Sequence, residues 1–287
     1  MDQSSTKFVK HVEGFVVQIP RVNLRRLAIG IIFCLALFSG SDCSEDPASR
    51  HFKAGDDLWN RGDHIPALEE YAKVVHDYPN SDLVPAAIFQ MATILHLYLQ
   101  DYSQALATYS QLTHYFPTNE YALRARKNMA EIYQYKYRDF QKAIIEYHKI
   151  VDNYPQHQDL DYYQYQLALC YTKLNAFEQA RIEYRALLER FPQTSLADQV
   201  YYQIANTYHL EGKLSEAEQA YHEVISKFPA SPLVLEAKFG IADCLEERDE
   251  LDQALALYQE ITEKYSNQEA IMLKIKNIQE RKGKRER

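Results

Sequence analysis

The apolar positions of this chain recur in blocks of 37 or 38 residues, and within each block their spacing is helical rather than alternating. An alanine opens the pattern at Ala67, Ala105, Ala143, Ala180, Ala217 and Ala254. A tyrosine follows four residues later, at Tyr71, Tyr109, Tyr147, Tyr184, Tyr221 and Tyr258. Three further on stands an aliphatic residue: Val74, Leu112, Ile150, Leu187, Val224 or Ile261. Positions i, i+4 and i+7 share one face of an α-helix. Twelve residues after the alanine, five copies have a proline preceded by Tyr or Phe (Pro79, Pro117, Pro155, Pro192 and Pro229), and the sixth has Ser266. Proline has no N–H to continue a helix, so it closes the block.

A second helical segment precedes each of these, as in residues 201–208, so every block reads as helix, turn, helix. The small alanine lets a neighbouring helix come close, and the tyrosine fills the space between blocks. Gly62 and Gly212 follow the first helix in two blocks, where a left-handed cap suits glycine. Ser231 and Pro232 read as an N-cap followed by proline at the first helical position. Blocks two and three carry one extra residue inside the hairpin, around 98–100 and 135–138.

Alanine, aromatic and proline at these offsets resemble the tetratricopeptide repeat, a helical hairpin of about 34 residues. The resemblance implies an all-α fold: an α-solenoid of about six hairpins over residues 50–266, then a capping helix and basic tail over 267–287. Ala270, Ile271, Ile275 and Ile278 are expected to cover the open face of the last repeat. From Lys274 onward seven Lys and Arg stand against two Glu. That stretch reads as a solvated tail, with a contact to anionic lipid or an acidic partner as the alternative.

The resemblance also implies a binding surface, because the first helix of each pair lines the inner wall in this repeat class. Position 5 of that helix holds Phe52, Phe89, Lys127, Tyr165, Tyr202 and Phe239; position 9 holds Asp56, Thr93, Glu131, Leu169, Asn206 and Asp243. Position 2 adds Arg124 and Tyr162, and position 12 adds Trp59, His96 and His209. Aromatic rings interleaved with polar groups suit a peptide, the rings giving area and the polar groups hydrogen bonds. The alternative is that the rings pack between neighbouring repeats.

Residues 1–42 read as an N-terminal extension and export signal, and 43–49 as a short linker. Arg25 and Arg26 precede an apolar run from Leu27 to Phe38, and small and polar residues follow it. Twelve residues make a helix of about 18 Å, shorter than the ~30 Å hydrocarbon core, so a signal is favoured over an uncleaved anchor. Cys43 resembles the acceptor of bacterial lipoproteins, although Gly40 and Asp42 stand where that box has Leu and Gly or Ala. Cleavage after Ser41 without lipid is the alternative. Long repeats behind an export signal are similar to bacterial envelope tetratricopeptide proteins. Among these are the lipoprotein subunit of the outer-membrane β-barrel assembly machine and the cell-division coordinator beside the Tol–Pal system. The resemblance implies an exported, periplasm-facing, non-enzymatic scaffold for envelope proteins, acting in outer-membrane protein assembly and tethered to the membrane if Cys43 is lipidated. A soluble periplasmic adaptor in cell division or peptidoglycan regulation, and a structural homo-oligomer, are the alternatives.

Composition and motifs point away from other classes. Forty Asp and Glu against 32 Lys and Arg give a net charge of −8, without the basic balance of a nucleic-acid binder. Eight glycines in 287 residues leave little for phosphate-cradling loops. No metalloprotease, serine-hydrolase or P-loop signature occurs, and the ten histidines show no paired metal spacing. His76 and His114 fit the negative end of a helix dipole. Glu69–Glu70 and Glu246–Glu247 read as solvated helix faces rather than acid–base pairs. Cys170 and Cys244, 74 residues apart at the same phase of two repeats, read as small buried residues too distant for a disulfide. No cofactor, metal, nucleic acid or small-molecule substrate is expected.

Overall fold

A computed structural model describes residues 46–285; the expected export signal, Cys43 and the last two residues lie outside them. Thirteen α-helices, and no strand, occur among the described residues. They run as six pairs: α1 Pro47–Arg61 with α2 His64–Asp77, α3 Val84–Thr93 with α4 Tyr102–Tyr115, and α5 Glu120–Glu131 with α6 Phe140–Asn153. Then come α7 Leu160–Lys173 with α8 Phe177–Arg190, α9 Ala197–Leu210 with α10 Leu214–Lys227, and α11 Val234–Glu247 with α12 Leu251–Ile261. A last helix, α13, spans Gln268–Arg285. The first helix thus starts at Pro47, three residues ahead of the boundary expected at 50. The chain divides into two compact units after Ile132, the first holding α1 to α5 and the second α6 to α13.

Each unit is built on the alanine, tyrosine and aliphatic columns. In both, every one of these residues is buried, the tyrosines to 2% exposure or less. Alanine leaves room for the tyrosine ring, and the ring supplies most of the buried area.

Helix ends follow from residue chemistry. In five pairs the second helix stops at the aromatic before the proline, at Tyr78, Phe116, Tyr154, Phe191 and Phe228. Its φ lies between −125° and −130°, because the following proline ring excludes the helical conformation. The N–H of that residue still donates to the carbonyl of the aliphatic column, as Tyr78 does to Val74 at 3.3 Å. In the sixth pair, where the proline is lost, Tyr265 still donates to Ile261 at 3.0 Å, but the helix gives way to a turn after Ile261, three residues earlier than in the other copies.

A left-handed residue turns each pair. Gly62 (φ 85°) and Gly212 (φ 79°) do so as expected, and Asn175 (58°) and Asp249 (67°) use side chains that tolerate this region. Gln100 (53°) and Arg138 (54°) do it in the two longer repeats. There the extra residue is absorbed by a π-helical turn, Ile94–Tyr98 or Ile132–Tyr137, at the end of the first helix. The bond that closes the turn spans five residues elsewhere, as Asp63 N to Leu58 O (2.9 Å), and six here, as Asp101 N to Leu95 O (2.8 Å). Gln and Arg carry roughly 1–2 kcal/mol of steric strain in the left-handed region. Gln100→Gly relieves it at the expense of a more flexible unfolded chain, so a net gain of about 1 kcal/mol is expected in denaturant unfolding followed by Trp59 fluorescence.

Ser231 departs from expectation. The helix begins at Val234, and Ser231 Oγ instead accepts from Leu233 N (3.1 Å) while donating to Asp198 Oδ2 (2.6 Å) in the preceding repeat. Thr194 does the same, accepting from Leu196 N (3.2 Å) and donating to Asp161 Oδ2 (2.7 Å). The hydroxyl after the proline stitches one repeat of the second unit to the one before it. A carboxylate at the start of the earlier first helix draws it away from capping its own helix.

In α13, Ile271 and Ile278 are fully buried and Ile275 packs beside them against α11 and α12. Among the described residues, three basic side chains of that stretch are paired to α11 and the start of α12 rather than solvated. Lys274 reaches Asp243 (2.7 Å) and Glu246 (3.0 Å), Arg281 reaches Glu246 (3.2 Å) and Asp249 (2.9 Å), and Lys282 pairs with Asp252. The acidic residues sit about one repeat back in sequence, which hid the pairing. Nor are both double-Glu motifs solvated. Glu69 and Glu247 are exposed, but Glu246 is turned inward, and Glu70 accepts from Lys73 (2.6 Å) and pairs with His51 (2.7 Å). Burial pushes the Glu70 carboxyl up, but the hydrogen bonds from Lys73 and His51 outweigh it and hold it below the usual range. Cys170 and Cys244 are buried free thiols, both pushed up to about 12 by burial.

Candidate protein-binding face

On the first helices position 5 lies one turn before a small residue: Gly55, Ala92, Ala130, Ala168, Ala205 or Ala242. In the first unit Phe52 sits edge-on to Tyr71 (5.3 Å between ring centres), and Trp59 does so at 6.5 Å. Phe89 is buried against Tyr109 (5.8 Å) and Tyr121 (5.3 Å), with the Arg124 guanidinium over its face at 4.4 Å. His96 lies edge-on to Tyr102 and Tyr109. Thr93 Oγ1 donates to Phe89 O (2.8 Å) and lies 3.2 Å from the Tyr109 hydroxyl. Lys127 stands 3.7 Å from Glu131, whose carboxyl is pushed up by burial, an effect Lys127 only partly offsets.

In the second unit Tyr165 lies against Tyr184 (5.9 Å), Tyr202 against Tyr221 (5.7 Å) and Phe239 against Tyr258 (5.5 Å). Phe239 is also stacked on Tyr265 at 5.1 Å. Asn206 donates to Gln203 (3.4 Å), His209 pairs with Glu247 (3.0 Å), and Tyr162 lies edge-on to Tyr163. The position-5 rings therefore lean on the interior tyrosine of their own pair. This packing lies inside a repeat, and Phe89 adds a contact to Tyr121 and Arg124 of the next one.

Position 9 has a role the pattern did not suggest. Asp56 accepts from the Tyr71 hydroxyl (2.6 Å) and Asp243 from that of Tyr258 (2.5 Å). In repeat three the partner is position 12 instead, within the π-helical turn, with Gln134 accepting from Tyr147 (2.7 Å) and donating to Gln166 (2.9 Å). These groups hold the interior phenols, and burial pushes those of Tyr71 and Tyr258 up.

The structure brings two of the candidate rings of the second unit to one opening. Tyr165 and Tyr202 line a pocket of about 250 Å³ with Gln199, Gln203, Pro232 and Leu233. Asp198 borders it, but its carboxylate is already held by Ser231 and the Gln199 N–H (2.8 Å). The pocket thus combines apolar walls with neutral amides, the chemistry that grips an uncharged side chain while bonding to its backbone. Gln199 shares its column with Arg124 and Tyr162, but an amide adds nothing to a hydropathy pattern.

Residues 86–119 and 162–194 match one family model of the tetratricopeptide repeat, and residues 208–274 match a second. No curated protein sequence matches the chain. Among solved structures, a tetratricopeptide repeat protein from Parabacteroides merdae ATCC 43184 is 20% identical with a TM-score of 0.55, over 81% of this chain and 86% of its own. PilW, a widely conserved type IV pilus biogenesis factor, is 15% identical with a TM-score of 0.48, over 80% of this chain and 100% of its own. YrrB, a tetratricopeptide protein with an unusual peptide-binding site, is 15% identical with a TM-score of 0.48, over 67% and 91%. The likeness to the Parabacteroides merdae protein is one of fold.

Proposed function

Because the chain is a tetratricopeptide-repeat protein, we propose that it is an exported, non-enzymatic scaffold that holds a partner protein on the first-helix face of its second unit. Proteins of this class act through protein–protein contacts, and one observation favours this face. It is the pocket of Tyr165, Tyr202, Gln199, Gln203 and Leu233, apolar in its walls and without an uncommitted charge. Export rests on the apolar run 27–38 behind Arg25 and Arg26, and anchoring on Cys43. The finer role is outer-membrane protein assembly; a soluble adaptor in cell division is the second reading, favoured by Gly40 and Asp42 in place of the lipoprotein box.

A photo-crosslinking residue placed at Gln199 or Tyr162 in a Gram-negative host tests this. Capture of an envelope protein from these sites, and not from Glu189 on the second-helix side, is expected. Equal capture from all three would refute the assignment, and a product of twice the chain mass would favour a homo-oligomer. Intact mass separates the two roles, since a diacylglyceryl group on a chain beginning at Cys43 favours the anchored scaffold.

A further inference from the structure

Six of the ten large apolar side chains exposed among the described residues occupy one kind of place, the end of a first helix where the pair turns. They are Leu97, Tyr98, Tyr135, Tyr137, Leu174 and Leu210. In the second unit the last four belong to three successive turns and are 57%, 50%, 38% and 57% exposed. Basic residues alternate with them: Lys136 and Arg138, then Lys173, then Lys213, all exposed. The acidic side chains of the same turns are largely engaged. Asp139 pairs with Lys142 (2.9 Å), and Glu211 with Arg181 (2.6 Å) and Lys213 (2.9 Å), leaving Glu178 and Glu216, in the first turns of the following helices, as the other exposed acids. The next turn breaks the pattern: Arg248 pairs with Glu218 (2.6 Å) and Glu250 (2.8 Å), and no large apolar side chain is exposed there.

Helix dipoles explain cations at these ends, but not exposed Tyr and Leu between them. None of these four apolar residues lines a cavity described for this unit. A row of exposed rings and leucines, with the Tyr135 hydroxyl donating to Gln166 (3.1 Å), suits a soft plane better than the shaped surface of a protein. Tyrosine favours the headgroup level of a bilayer, and Lys and Arg snorkel to its phosphates. In a chain of net charge −8 this local basic edge is set against the overall sign.

We propose that this turn edge of the second unit is a docking surface for an anionic membrane. Tyr135, Tyr137, Leu174 and Leu210 enter the headgroup region, and Arg138 and Lys173 face the lipid phosphates. The inference is independent of the peptide pocket, which lies on another set of residues.

The test is hydrogen exchange on the full chain with phosphatidylcholine vesicles, with and without phosphatidylglycerol. The apolar run 27–38 can hold the chain to any vesicle, so the readout is local. Residues 135–138, 173–175 and 210–213 are expected to be protected on anionic vesicles alone, and the protection to fade with salt. Each basic residue near such a surface contributes roughly fivefold. Arg138→Gln with Lys173→Gln should therefore raise the lipid needed for half-protection about 25-fold, with an unchanged circular dichroism spectrum. Vesicle-bound protein with these turns unprotected overturns the proposal, as does equal protection on both vesicle types. Protection without lipid that grows with protein concentration would assign the edge to a second copy and also overturn it.

Discussion

Tyr184→Ala is expected to destabilise the second unit by about 3–5 kcal/mol, whereas Tyr184→Phe is expected to be neutral or slightly stabilising. The ring is fully buried, so alanine leaves a large cavity in a region that cannot collapse without moving a helix. The hydroxyl, by contrast, is buried beside Thr172 without a well-formed hydrogen bond, so removing it ends a largely uncompensated desolvation. The same pair of substitutions at Tyr147 should behave differently. Tyr147→Phe takes the donor from Gln134 Oε1 in a buried network, which costs about 1–3 kcal/mol. Tyr258→Phe removes a bond to a carboxylate, a class of interaction that contributes about 1.5–3 kcal/mol. Hydrogen exchange of the surrounding helices is the measurement, because Trp59, the chain's one tryptophan, lies in the first unit. A uniform cost for all three phenylalanine variants would show that the hydroxyl partners do not set stability.

The contrast marks where the sequence stops being readable. The alanine, tyrosine and aliphatic columns were legible because a helix face imposes a period, and all eighteen positions are buried. The hydroxyl partners follow no period. Asp56 and Asp243 stand fifteen residues before their tyrosines, but Gln134 stands thirteen before Tyr147, because there the partner comes from within the π-helical turn. Gly240 is another example. In a pattern it weakens a helix, but a Cβ there would lie 2.5 Å from the Tyr221 ring of the preceding repeat. Its reason is a contact across repeats, which no local pattern contains. The candidate face was half legible in the same sense. The aromatic column at position 5 is visible in the sequence, but not its lean onto the interior tyrosines. The neutral amides of Gln199 and Gln203 carry no signal at all.

Removing residues 268–287 is expected to destabilise α11 and α12 by about 3–6 kcal/mol, and the apolar contacts rather than the ion pairs should account for it. Ile271 and Ile278 are fully buried, and burying such a side chain contributes about 1.5–3 kcal/mol each. The pairs made by Lys274, Arg281 and Lys282 involve basic side chains between 34% and 42% exposed, where solvent screening leaves each about 0–1 kcal/mol. Ile271→Ser with Ile278→Ser should therefore reproduce most of the loss, and Arg281→Gln with Lys282→Gln little of it. Lys274→Gln should fall between them, because it leaves Asp243 and Glu246, both mostly buried, without their common cation. In a repeat array stability passes between neighbours, so α11 and α12 should lose exchange protection first and earlier helices of the unit progressively less. Trp59 fluorescence should not change, since it reports on the other unit. If half-molar salt released α13 as fully as the isoleucine substitutions do, the ion pairs would be the main attachment, and the order of effects argued here would be reversed.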